Sequence, residues 1–77
     1  MPPVFTRHLR ERMRRRRIAE EDVLAVLARP LEERHDPDNN SYRVYGHTGD
    51  GRKIYVAVRD ASWQTSDPVI KTVVEVS

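Results

Sequence analysis

The sequence predicts an α+β fold in which two N-terminal helices pack on a mainly antiparallel sheet of three to four strands. Three observations predict it. Apolar residues recur at helical spacing in two stretches before Pro30, they alternate at period two in two later stretches, and Gly49-Asp50-Gly51 separates those later stretches as a hairpin loop would. With 77 residues, the chain is expected to make one small domain spanning positions 1–77, with residues 1–5 extended or mobile.

The first helix is expected from Thr6, a suitable N-cap, to about Arg17. Leu9 and Met13 form a narrow apolar stripe, prolonged by Phe5 and by the aliphatic stem of Arg16. His8, Arg12 and Arg15 flank the stripe on one shoulder, Arg10 and Arg17 on the other. Within the helix Glu11 is read as the i, i+4 partner of Arg15. A second helix over 20–29 opens on Glu20, Glu21 and Asp22, where the helix dipole favours negative charge, and stops at Pro30. Val23, Val26 and Leu27 face its core, with Leu24 widening the stripe.

Residues 31–36 read as a short edge strand and 37–40 as a turn. Strands over 41–48 and 52–60 follow, joined by a three-residue loop with a left-handed glycine that opposes Thr48 to Arg52. This register puts Tyr42, Val44, Gly46, Ile54, Val56 and Val58 on the core face. The opposite face then carries Arg43, Tyr45, His47, Lys53, Tyr55 and Arg59. Trp63 is expected to fold back over an edge of the core. A last strand over 69–76 places Ile70, Thr72 and Val74 on one face, Lys71 and Val73 on the other.

Charge is distributed unevenly. The formal net charge is +2, yet residues 1–17 hold seven arginines against one glutamate. Such a run suits nucleic acid, anionic lipid or an acidic protein. No cysteine is present, which removes disulfides and thiolate zinc sites. No apolar run nears the roughly 20 residues that span a bilayer, so the expectation is a cytoplasmic protein without a membrane partner. The three histidines match no compact metal-ligand motif, and neither a phosphate loop nor a dinucleotide fingerprint occurs, so no cofactor is expected.

Several elements in order carry a family likeness: His8, Arg12-Met13, Ile18, Glu20-Glu21-Asp22-Val23, Tyr42 to Gly46, Asp50-Gly51-Arg52 and Thr72-Val73-Val74. On these the chain resembles the bacterial family known as domain of unknown function 4258, and more distantly the ribonuclease toxins of the RelE and barnase type. The resemblance implies a toxin-type, metal-independent endoribonuclease or RNA-binding domain, acting on free or ribosome-bound RNA and neutralised by a separate antitoxin. It singles out His8, Arg12 and Arg43 as polar site positions, and Gly46 and Thr72 as structural ones. Arg17 stands where the family has a helix-ending glycine, and Ala19 where it has a Ser or Thr cap.

Metal-free RNA cleavage needs a base for the 2′-hydroxyl, an acid for the leaving oxygen and cations around the phosphoryl group. His8, Arg12, Arg43, His47 and Tyr45 are the candidate catalytic residues, with His35 as a further titratable group. Arg14, Arg15, Arg16, Lys53, Tyr55 and Arg59 are candidates for nucleic-acid binding. The competing reading is a non-catalytic module that binds nucleic acid or a protein through the arginine helix.

Overall fold

A computed structural model describes residues 5–76; of the lead-in expected to be extended or mobile at 1–5, residues 1–4 lie outside them and Phe5 packs against the core. Two helices, α1 (Arg7–Arg15) and α2 (Glu20–Ala28), precede four strands, β1 (Glu32–Asp36), β2 (Ser41–His47), β3 (Lys53–Arg59) and β4 (Ile70–Glu75). The strands form one open antiparallel sheet in chain order. Both helices lie on the same face of this α+β arrangement, and their buried residues join Val44, Ile54, Val56, Val58, Ile70 and Val73 in a single core.

Thr6 caps α1 as expected, its hydroxyl accepting from the Leu9 amide at 3.1 Å. Leu9 and Met13 are the buried stripe. Glu11 differs from the expectation: it pairs with Arg7 at 3.7 Å rather than with Arg15. Helical side chains lean toward the N-terminus, which carries the short glutamate toward the earlier neighbour.

The helix ends in a Schellman motif. Arg17 adopts a left-handed φ of 54°, the Ile18 amide donates to Met13 O at 2.9 Å, and the Arg17 amide donates to Arg14 O at 3.2 Å. Ile18 and Met13 both enter the core, supplying the apolar contact of that motif. Arg17 thus adopts the left-handed conformation that favours glycine at a helix end.

Arg52 supports this strained turn: its guanidinium donates to the carbonyls of Arg16, at 3.0 Å, and of Arg17. The same side chain pairs with Asp50 at 3.0 Å and Glu75 at 2.9 Å, so it ties the end of α1 to the hairpin and to β4. These carboxylates, Asp50 first, hold the guanidinium more firmly protonated than usual. At the start of α2, Ala19 has no side chain to cap with, and Asp22 compensates. Its carboxylate accepts from the Ala19 amide at 3.3 Å and from the Gly49 amide at 2.9 Å.

Val23 and Val26 are buried, whereas Leu24, expected to widen the stripe, is 42% exposed. It lies beside a groove shared with Leu27 and Trp63, because the sheet meets only the narrower Val23–Val26 stripe. Gly46 lets α2 come this close: a Cβ there would meet Val26 Cγ2 at 2.8 Å.

Strands β2 and β3 pair in the expected register, from His47 opposite Lys53 to Tyr42 opposite Val58. Gly51 supplies the left-handed turn with φ 88°, and the Thr48 amide donates to Arg52 O at 2.8 Å. Trp63 packs against the core, its Nε1 donating to Glu33 at 2.6 Å.

Strand β4 corrects the sequence reading. A bulge between its pairings with Ala57 and Val58 leaves Lys71 without a cross-strand partner. Ile70 opposes Val58 while Val73 opposes Val56, so both face the core, and Thr72 and Val74 turn to the other side. One extra residue inverts side-chain alternation beyond it.

Candidate functional site

The face of the sheet away from the helices is built of cross-strand rows. Glu32, Tyr45, Tyr55 and Val74 oppose one another across the four strands, and Arg34, Arg43, Ala57 and Thr72 form the next row. Asp36, Ser41 and Arg59 make a third, and His47 and Lys53 a shorter one at the hairpin end. Six of the sequence candidates therefore share one surface: Arg43, Tyr45, His47, Lys53, Tyr55 and Arg59.

Its centre is organised by aromatic rings. Tyr45 and Tyr55 lie 5.5 Å apart between centroids and are tilted by 50°. Arg43 sits over the Tyr55 ring at 5.2 Å and Lys53 over the Tyr45 ring at 5.5 Å. Arg43 also meets Asp36 at 3.3 Å. The Tyr45 phenol, as a hydrogen-bonding neighbour, contributes most to holding the Arg43 guanidinium protonated, followed by Tyr55, with Asp36 adding to it. In turn the Asp36 carboxyl is lowered below its usual range, chiefly by hydrogen bonding from Asn39 and further by Arg43. Arg43 is thus held in place by a ring and a carboxylate of the same sheet, and Lys53 by a ring.

His8 and Arg12 occupy a different place. Both are exposed on α1, in the layer that covers the other face. Among the described residues, no hydrogen bond, ion pair or ring contact joins either to the strand group. Arg14 and Arg15 are exposed on the same helix. Arg16 is partly committed to structure, donating to the Val73 carbonyl at the edge of β4. His35 also leaves the group: it stacks on Tyr42 at 4.6 Å and meets Asp60 at 3.6 Å on the helix side.

Residues that sequence reasoning did not assign to a site complete the open face. Beside the aromatic row lies a cavity of about 200 Å³ lined by Asp36, Arg43, Tyr55, Ala57, Lys71 and Thr72, among others. Ala57 forms its floor because it is the small side chain between Arg43 and Thr72. Thr72 reaches it only through the β4 bulge, which leaves no turn residue or motif in the sequence to announce it. The sole available signal is the three-residue spacing of Ile70 and Val73, which no regular strand can bury on one face.

Among the described residues, no group of three His, Asp or Glu side chains is arranged to hold a metal ion, and no helix is long and apolar enough to cross a membrane. The open face can do two things chemically: stack planar groups on tyrosines and hold anions between fixed cations. Comparison with curated proteins and with solved structures finds no match. A family model described as "Domain of unknown function (DUF4258)" matches residues 5–75, nearly the whole chain, and the protein belongs to that family.

Proposed function

We propose that the protein binds single-stranded RNA on the open face of its sheet. One observation carries the reading: the Tyr45–Tyr55 pair is flanked on that face by Arg43 and Lys53, which lie over its rings at 5.2 and 5.5 Å. Stacking of a base on an aromatic side chain contributes about 1–3 kcal/mol and tolerates any sequence. Only unpaired bases can reach such rings, which argues for a single strand over a duplex. The preference for RNA draws on the resemblance to ribonuclease toxins, as analogy.

A toxin-type, metal-independent cleavage is the second reading, favoured by His47 and Tyr45 sharing this face with Arg43 and Lys53. His47 or Tyr45 would exchange protons with the 2′-hydroxyl and the leaving oxygen, while the two cations stabilise the phosphoryl charge. His8 and Arg12, on the helix layer, would then contribute through the arginine helix as a polyanion-binding surface. A separate antitoxin would neutralise the protein by covering the tyrosines.

Fluorescence titration of the purified chain with a labelled single-stranded RNA, at low salt and in EDTA, tests both readings. Binding that Tyr45→Ser and Tyr55→Ser weaken supports the first, and RNA cleavage that His47→Ala abolishes supports the second. Undetectable binding would return the function to the α1 surface acting as a non-catalytic binding module.

A further inference from the structure

The cavity beside the tyrosines has the chemistry of a single anion site. Two cations border it, Arg43 and Lys71, and one carboxylate, Asp36, leaving an excess of one positive charge. Arg43 is fixed by Asp36 at 3.3 Å and by the Tyr55 ring at 5.2 Å. Lys71 donates to Asn39 O, which orients its ammonium and leaves two of its three N–H donors for a ligand. Thr72 supplies the decisive observation: its hydroxyl oxygen is buried and finds no hydrogen-bond partner among the described residues. A buried hydroxyl without a partner costs about 1–3 kcal/mol, and a bound ligand oxygen would remove that cost.

The bulge in β4 creates this group. A regular strand continuing from Ile70 would turn Thr72 toward the core, whereas the extra residue brings it to the open side, beside Lys71 and the small side chain of Ala57.

On the reading of the open face as an RNA surface, we infer that this cavity is the phosphate subsite for one nucleotide of the bound strand, with the phosphate between Arg43 and Lys71 and the Thr72 hydroxyl bonded to the phosphate or its ribose. A monoanionic phosphodiester matches the excess charge. The cavity lies one row from Tyr45 and Tyr55, about 7 Å along the strands, a spacing comparable to that of successive phosphates in an extended chain. The subsite fixes the strand in register while the tyrosines take the adjoining bases.

The test is a titration of the ¹⁵N-labelled full chain with uridine 5′-monophosphate, followed by NMR, with inorganic phosphate and uridine as separate arms. The mononucleotide is expected to bind at about 1–10 mM and to shift the amides of Arg43, Ala57, Lys71 and Thr72. Inorganic phosphate should shift the same amides more weakly, and uridine should not. Ala57→Leu, which fills the cavity, should weaken binding at least tenfold. Thr72→Val should weaken it about tenfold, the loss of one hydrogen bond to a charged group, without lowering thermal stability because it removes an unsatisfied hydroxyl. Shifts confined to the arginines of α1, wild-type affinity in Thr72→Val, uridine binding as well as its monophosphate, or no binding at ten times the expected concentration would each overturn the subsite. A labelled single-stranded RNA titrated in parallel separates the two proposals. RNA binding unaffected by either substitution removes the subsite alone, and mononucleotide binding without RNA binding removes the strand-binding reading alone.

Discussion

The outer surface of α1 and the open face of the sheet are both cationic, but they hold their charges differently. Arg7 pairs with Glu11 and Arg10 with Glu20, at 3.7 and 3.0 Å, on exposed side chains, while Arg12, Arg14 and Arg15 form no ion pair among the described residues. On the sheet, Arg43 and Lys53 are seated on tyrosine rings, and Arg43 is further held by Asp36. Loosely held charges attract a polyanion at a distance, with strong salt dependence and little geometry. Fixed charges next to rings can place one phosphate and one base, because less side-chain entropy is lost on binding. The loosely held charges of α1 and the seated charges of the sheet lie on opposite sides of the molecule.

The largest effect tests whether the two sides are truly opposite. Val56 is 0% exposed in the core, and its neighbour Tyr55 faces outward. Val56→Asp buries a carboxylate with no partner, at a cost of several kcal/mol that rivals the whole stability of a chain this small, so circular dichroism should show it unfolded at about 25 °C. Tyr55→Ser should remain folded. The reverse pattern would exchange the two faces and remove the site.

A smaller effect divides affinity from salt dependence. Tyr45→Ser combined with Tyr55→Ser should cost about 1–3 kcal/mol per stacked base while leaving the slope of log affinity against log salt unchanged. Arg12→Gln, Arg14→Gln and Arg15→Gln together should flatten that slope by about 0.7 for each phosphate no longer neutralised, on RNA and DNA alike. Arg16 is left out of this set because it holds the Val73 carbonyl. Equal slope changes from both sets would break the distinction.

The smallest effect is acid sensitivity, which has a source in each region. Asp50, under the end of α1, has its pKa lowered from 3.8 chiefly by hydrogen bonding from Thr48 and then from Arg52. Asp36, on the sheet, is lowered from 3.8 chiefly by Asn39. A carboxyl with a depressed folded pKa adds stability above its unfolded pKa and loses it as pH falls through the folded value. Denaturant midpoints should therefore drop below about pH 4, and Asp50→Asn or Asp36→Asn should each make that drop shallower. A profile as steep in both variants as in the wild type would show that neither interaction matters to folding.

Much of the fold was legible because its signals are local. Thr6 before an apolar stripe, acids opening α2, Pro30 closing it and Gly51 in a short loop each determine their own neighbourhood. The period-two pattern of residues 42–58 then fixes the hairpin register, since a slip of one residue would expose every valine. The same alternation put Arg43, Tyr45, His47, Lys53, Tyr55 and Arg59 on one face from the sequence alone.

What the tertiary structure decided concerns elements with no preference of their own. A bulge in the pairing with β3 turns Val73 inward and Thr72 outward, although Ile70-Lys71-Thr72-Val73-Val74 contains no local signal for it. It also set His8 and Arg12 apart from Arg43, since a helix shoulder becomes a location only once the helix has docked. Arg52 shows the same limit: a motif residue in the sequence, it becomes the tie between α1, the hairpin and β4 only when three distant segments converge on its guanidinium. Periodicity specifies which side of an element is buried, whereas contacts between residues far apart in the chain depend on how the elements are assembled.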